Sequence, residues 1–253
     1  MCSSLTLDGF AEVVWSEVIE GRIGSLRVSN PEIARKAEPG QFCMLFAGED
    51  WGLPLGRPLG IAGVEGDVLH FLFEIIGKGT QWFSELYSGA KLRIRGPLGT
   101  PFPEPVGEKL WLAGGTLGIA PLLFAYQRKK VDSQLLLGVP DASWGSFSDW
   151  IDAEFPGLIT LSPASAEASN PVEYLMAHAQ ENDEVWACGP DGMMKAVGVG
   201  LTPSVKRAMV SLETVMGCGY GGCLGCSVHL KTGPVLVCKD GPFFNAAEVN
   251  WDV

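Results

Sequence analysis

Through the first hundred positions, apolar residues come in short, often β-branched bursts. Residues 11–19, 23–28, 41–47, 68–76 and 91–95 are such runs, broken by Gly and Pro. Short runs with turn residues between them predict antiparallel strands in a barrel or sandwich. One helix is predicted among them over 81–87, with Thr80 as its cap and Gly89 as its stop. Proline crowds the stretch 96–105. It fixes φ and offers no N–H, so a domain boundary is expected there.

From residue 109 the period changes. Segments 109–113, 134–139, 158–161, 184–188 and 206–212 read as buried strands, and 121–130, 171–180 and 191–197 as helices between them. The middle helix opens with Asn170 as N-cap, Pro171 at the first position and Glu173 at N3. Such alternation implies a parallel sheet with helices on both faces. The last stretch has little regular period, and so short a segment needs a staple, which a metal centre would supply. The expected fold is therefore multidomain α/β plus all-β: an antiparallel β-barrel over 1–105, a parallel α/β domain over 106–210 and a small C-terminal domain over 211–253.

Composition adds that much of this chain is to be buried. Only 19% of its 253 residues are charged and 47% are hydrophobic, with 33 glycines besides. Charged residues usually reach about 25%. Disorder is excluded by so much apolar surface, which points to large cofactors, a buried subunit face or both. Lys and Arg number 18 against 29 Asp and Glu, a net charge of −11. That balance argues against non-specific binding to a phosphate backbone, so no nucleic-acid partner is expected. No apolar run approaches the roughly 18 residues that span a bilayer. The first ten residues lack a basic region followed by an apolar core. The expectation is a cytoplasmic protein with no membrane partner.

Seven cysteines then need a cytosolic account. Cys2, Cys43 and Cys188 are scattered, whereas Cys218-x4-Cys223-x2-Cys226-x11-Cys238 occupies 21 residues. Cytosolic disulfides are rare, so a close group favours metal or redox chemistry. The first three match the plant-type spacing that holds a 2Fe-2S cluster with a fourth, more distant cysteine. Gly219, Gly221, Gly222 and Gly225 let the loop wrap a cluster and aim N–H groups at sulfur. Structural zinc is the alternative, usually held by two well-separated short pairs. A 2Fe-2S cluster carries one electron at a time and implies a source and a sink.

The strand at 110–113 runs into Gly114-Gly115-Thr116-Leu117-Gly118-Ile119-Ala120-Pro121 and a helix. Glycines at a strand-to-helix turn let phosphates approach the backbone and the helix N-terminus. The spacing departs from the Rossmann fingerprint, and a turn serving only packing is the alternative. Cys188-Gly189-Pro190-Asp191-Gly192 follows a later strand at the same carboxyl edge, where open α/β sheets bind ligands. Cys188 is a candidate wall of a nicotinamide pocket, with a small buried apolar residue as the alternative. The loop 140–146 has Asp141 and no Lys or Arg, which favours NAD over NADP.

Arg57-Pro58-Leu59-Gly60 and Gly77-Lys78-Gly79-Thr80 complete an ordered set with Gly96-Pro97-Leu98-Gly99, the 114–121 turn and Cys188-Gly189-Pro190. The set resembles the ferredoxin-NADP reductase superfamily. That resemblance implies an FAD-binding barrel, with Arg57, Pro58, Leu59, Gly60, Ile75, Gly77, Lys78, Gly79 and Thr80 at the flavin and the pyrophosphate at Arg57 and the helix start. It implies NAD at Gly114, Gly115, Thr116, Gly118, Cys188, Gly189 and Pro190. Gly60 departs from the superfamily's usual hydroxyl residue, so a backbone N–H or water would have to serve the flavin N5.

The C-terminal third narrows the likeness. Ser211-Leu212-Glu213, the cysteine loop and Val237-Cys238-Lys239-Asp240-Gly241-Pro242-Phe243-Phe244 are similar to the electron-transfer subunits of NAD-dependent dihydroorotate dehydrogenases. This implies Cys218, Cys223, Cys226 and Cys238 as ligands of a 2Fe-2S cluster. It implies a catalytic partner carrying FMN, in a heterotetramer of two of each subunit. Electrons would pass from FMN through the cluster and FAD to NAD+, in pyrimidine biosynthesis. Reductase subunits of hydrogenase, sulfide and ferredoxin systems share the architecture and form the alternative. Phe243 and Phe244 are candidates to cover the flavin. His70, His178 and His229 are too dispersed to make a metal site.

Overall fold

A computed structural model describes residues 7–48, 52–128 and 131–251. Cys2 and residues 129–130 of the predicted 121–130 helix lie outside the described residues. Six strands come first: β1 (Leu7–Ile19), β2 (Ile23–Ser29), β3 (Phe42–Phe46), β4 (Arg57–Glu65), β5 (Val68–Glu74) and β6 (Lys91–Leu98). They close into an antiparallel barrel in the order β1-β2-β5-β4-β3-β6. Closure depends on the length of β1. Its first half pairs with β6 and its second half with β2, with a bulge between Val13 and Trp15 that bends it. Leu26, Leu45, Ile61, Phe71 and Ile94 fill the interior, capped by Phe83.

Two short helices join the barrel strands, α1 (Pro31–Ala34) and α2 (Lys78–Ser84). Three sequence expectations change here. Helix α2 begins three residues before 81, so Thr80 is its third residue and Gly77 its cap. Thr80 Oγ1 reaches back, accepting from the N–H of Ile76 and Gly77 at 3.1 and 3.2 Å and donating to the Gly77 carbonyl at 3.1 Å. Strand β4 was not expected, because Pro58, Gly60 and Gly63 read as turn residues. Those glycines serve packing instead: a Cβ on Gly60 would lie 3.3 Å from Pro121, and one on Gly63 2.7 Å from Gln127. Strand β6 continues through Pro97, which falls where the pairing with β3 shifts register, so no ladder N–H is missed.

The second sheet is assembled from β7 (Lys109–Gly115), β8 (Asp132–Gly138), β9 (Ile159–Leu161), β10 (Glu184–Cys188) and β11 (Arg207–Ser211). The helices are α3 (Ile119–Gln127), α4 (Gly145–Glu154), α5 (Pro171–His178) and α6 (Asp191–Ala196). Asn170 caps α5 as its sequence predicts, accepting from Val172 and Glu173 N–H at 3.0 and 3.1 Å. Helix α4 has no counterpart among the expected helices: its first two residues fall in the loop 140–146, and it opens on Gly-Ser-Phe-Ser. Burial of Phe147 and Ile151 fixes it despite that weak local preference.

The C-terminal segment forms a hairpin of β12 (Ser227–Leu230) and β13 (Gly233–Leu236), one turn α7 (Val237–Asp240) and β14 (Phe243–Asn245). Strand β14 adds antiparallel to the edge of the sheet, whose order is β14-β11-β10-β7-β8-β9. One apolar core therefore holds Cys226, Val237, Cys238 and Phe244 with Met44 and Leu98 of the barrel. Among the described residues, no helix is long and apolar enough to cross a membrane.

Candidate functional site

Strands β7 and β10 are neighbours, with Cys188 opposite Gly114, so the loops that leave them meet at one point of the sheet's carboxyl edge. They touch backbone to backbone. A Cβ on Gly118 would overlap the Cys188 carbonyl, and one on Gly189 would lie 3.0 Å from Gly115. Above them stands the barrel. Between the two is a cavity of about 450 Å³ that brings Pro58, Leu59, Gly60 and Thr80 opposite Gly115, Thr116, Gly118, Cys188, Gly189 and Pro190. A second cavity of about 520 Å³ shares Gly115, Thr116 and Pro190 and runs along the sheet edge past Gly138 and Asn170. Two adjoining hollows at a glycine-lined edge suit a dinucleotide, with one end against the barrel and the other on the sheet.

The remaining flavin candidates stand beside the cavity rather than in its wall. Arg57 donates to the Leu55 carbonyl, and its guanidinium lies where a Cβ on Gly79 would be. That contact sets a fixed cation at the start of α2, a cradle that fits one phosphate pair. Gly77, Lys78 and Gly79 form this start, and Gly114 packs on Ile119. Ile75 is half-buried and packs against the barrel core, while exposed Ile76 lines the cavity. Neighbours on an extended segment face opposite ways.

Other wall residues escaped the sequence reading. Phe42 and Glu74 come from the barrel, and Ser211, Leu212, Glu213, Thr214 and Met216 from the segment between β11 and the cysteine loop. Only the sheet order, which puts β11 beside β10, could have placed that segment here. Burial raises the Glu213 carboxyl above its ordinary range, and Asp191 adds to this. Burial, then Glu213, pushes the Cys188 thiol up to about 12 against a hydrogen bond from Ser211, so the thiol stays neutral. Phe243 lines the cavity and packs on Phe102, ring centroids 4.1 Å apart. Phe244, one residue on, faces the opposite core and cannot cover a flavin.

Cys218, Cys223 and Cys226 sit in a loop folded onto the barrel, and Cys238 stands beside it in α7. Gly219, at φ +80, lies so close to Met44 that a Cβ would come within 2.6 Å of it. Sulfurs pair two by two. Cys226 and Cys238 are buried with Sγ atoms 3.2 Å apart, while Cys218 and exposed Cys223 form the other pair. Backbone N–H groups point at sulfur, from Gly221 to Cys238 at 3.1 Å and from Cys223 to Cys218 at 3.4 Å. Burial opposes ionisation of Cys218, but the N–H groups of Tyr220, Cys223 and Gly222 outweigh it and bring the thiol to about 6. Among the described residues, no three His, Cys, Asp or Glu side chains gather around one ion position. The two pairs of thiols fit a 2Fe-2S cluster, which they would hold as thiolates.

A closed antiparallel barrel, a parallel nucleotide sheet and a cluster loop packed against both define a flavin and iron–sulfur oxidoreductase of the ferredoxin-NADP reductase type. The family described as the iron–sulfur cluster binding domain of dihydroorotate dehydrogenase B matches residues 213–250. The electron transfer subunit of dihydroorotate dehydrogenase B (NAD(+)) from Desulforamulus reducens is 34% identical over 236 residues, 88% of this chain and 90% of that protein. Its counterpart from Caldanaerobacter subterraneus subsp. tengcongensis is 33% identical over 85% of this chain and 88% of that one. A chain from the structure of NADH-dependent reduced ferredoxin-NADP oxidoreductase superposes with a TM-score of 0.82 at 25% identity, covering 96% of this chain and 91% of its own. The chain belongs to the family of dihydroorotate dehydrogenase B electron-transfer subunits.

Proposed function

We propose that this chain takes electrons from the FMN of a dihydroorotate-oxidising partner and passes them to NAD+. The carrying observation is the cavity in which barrel and nucleotide-sheet residues face each other, with the cysteine loop packed behind it on Met44. When bound, FAD would supply the exchange between single electrons from a 2Fe-2S cluster and one hydride, two electrons together, for NAD. In this reading Arg57, Gly77, Lys78, Gly79 and Thr80 hold the flavin phosphates, and Pro58, Leu59, Gly60 and Phe243 bound its ring. Gly114, Gly115, Thr116, Gly118, Gly189 and Pro190 admit the nucleotide backbone, and neutral Cys188 forms an apolar wall at the nicotinamide. Cys218, Cys223, Cys226 and Cys238 ligate the cluster. The working domains are 1–105 for FAD, 106–210 for NAD and 211–253 for the cluster.

The partner is an FMN-containing catalytic subunit, two of each making a heterotetramer in the cytoplasm. Exposed Tyr220 and Leu224 beside Cys223 support a subunit face over the cluster loop. Purification with endogenous partners tests this. The preparation should reduce NAD+ when given dihydroorotate and hold about one FAD, two irons and two acid-labile sulfides per chain. Iron-free protein with one zinc overturns the reading. The likeness to NADH-dependent ferredoxin-NADP oxidoreductase favours one other reading, a reductase subunit of a ferredoxin, hydrogenase or sulfide system. A multi-cluster or nickel–iron partner in the same purification would establish it.

A further inference from the structure

Arg95 lies in β6, opposite Asp8 of β1, and reaches off the barrel to the cysteine loop. Its Nη1 donates to the carbonyl of Cys218 at 3.1 Å. The guanidinium is held on its other sides as well. Nε and Nη2 donate to Asp8 Oδ2 at 2.9 and 2.6 Å. The rings of Phe46 and Tyr220 lie 5.4 and 5.3 Å from it, and the side chain is only 17% exposed. Arg93 shares the same carboxylate, through Nε and Nη2 at 2.9 Å each, but lies over Phe46 and is 48% exposed. The Asp8 carboxyl is held down at about 2, chiefly by Arg93, and so stays ionised. The guanidinium thus sets a fixed cation on the backbone of Cys218, in a chain whose net charge is −11.

We propose that Arg95 is a positioning residue for the 2Fe-2S cluster: it pins the Cys218 end of the loop to the barrel, and its fixed charge raises the cluster's reduction potential. This rests on the reading of the four cysteines as cluster ligands. Reduction adds one electron to the cluster. A cation held close by, largely away from water, stabilises the added charge. The hydrogen bond goes to the ligand's carbonyl, so anchoring and charge come from one side chain. An uncharged amide could keep part of the anchor and none of the charge.

The test uses the full-length holoprotein, with an EPR-monitored redox titration and cluster loss to a chelator followed by absorbance. Arg95→Gln should keep FAD, lower the cluster midpoint and lose iron about tenfold faster, as expected for a lost charged hydrogen bond. Arg95→Lys should keep the parent midpoint, and Arg93→Gln should shift it less than Arg95→Gln. An unshifted Arg95→Gln midpoint overturns the proposal, as does an Arg95→Lys midpoint that falls as far as that of Arg95→Gln. If Arg95→Gln emerges without iron, Arg95→Lys decides: it must hold iron at the parent midpoint, and failure to do so overturns the charge role. A parent protein with no iron or sulfide would instead defeat the cysteine reading itself.

Discussion

At the scale of single residues, the site is built from small side chains that let backbones meet and from a few polar groups held at unusual ionisation. Glu213 shows the second principle. Its folded carboxyl is raised, so it binds a proton more tightly than in the unfolded chain. The resulting stability is present below the ordinary Glu range and is lost as pH rises through it towards the folded value. Glu213→Gln should therefore melt higher than the parent at neutral pH, and the difference should close by about pH 4, as thermal melts across pH would show. Cys223 shows how far one residue's role can be separated from its neighbours'. It is exposed on the loop and is not part of the cavity wall. Cys223→Ala should abolish the cluster's visible absorption while FAD remains reducible by NADH; loss of the flavin would mean that the two sites are not separable.

At the scale of elements, α2 joins barrel strand to flavin cradle, and a single hydroxyl organises its start. Thr80 Oγ1 makes three hydrogen bonds to Ile76 and Gly77, none of which a Val can make. Thr80→Val should cost about 1 kcal/mol in thermal stability and release FAD more readily, read by flavin fluorescence, with Thr80→Ser close to the parent. The sequence marked this element but set its start late, because a hydroxyl before a helical run reads as a cap. Glycine at position 77 left the true cap without a side-chain signal. The same limit hid β4 and α4. Gly60 and Gly63 are small because α3 presses on them, and Phe147 and Ile151 are helical because the sheet covers them. Neither cause lies within the local sequence.

At the scale of the whole molecule, barrel and sheet are joined by close packing at the Gly60–Pro121 and Gly63–Gln127 crossings, with an exposed ion pair besides. Arg27 and Glu154 make such a pair at 2.9 Å across the joint, with side chains 34% and 40% exposed, so it adds little to stability. The cluster loop closes the third side, leaving Val215, Tyr220 and Leu224 exposed as apolar residues around it. An apolar collar over an electron carrier suits a subunit face. Leu224→Glu should weaken copurification with the catalytic subunit while FAD and iron contents stay at parent values, measured by pull-down and metal analysis.

The sequence alone determined the barrel-then-sheet order, the four cysteines and the two glycine turns. Each of these is written in local chemistry: strand-length apolar runs, thiol spacing, and residues small enough for a phosphate to approach. Tertiary structure decided which of them share a wall. The neighbouring places of β7, β10 and β11 carry Cys188 and Glu213 to the Gly115 turn, and a flip of one residue sends Phe243 to the cavity and Phe244 away from it. Sheet order and strand facing are set by contacts between segments far apart in the chain, so no local pattern specifies them. The same holds for Arg95, which reads in sequence as one more charge on a strand and acquires its partner only where the cysteine loop folds back onto β6.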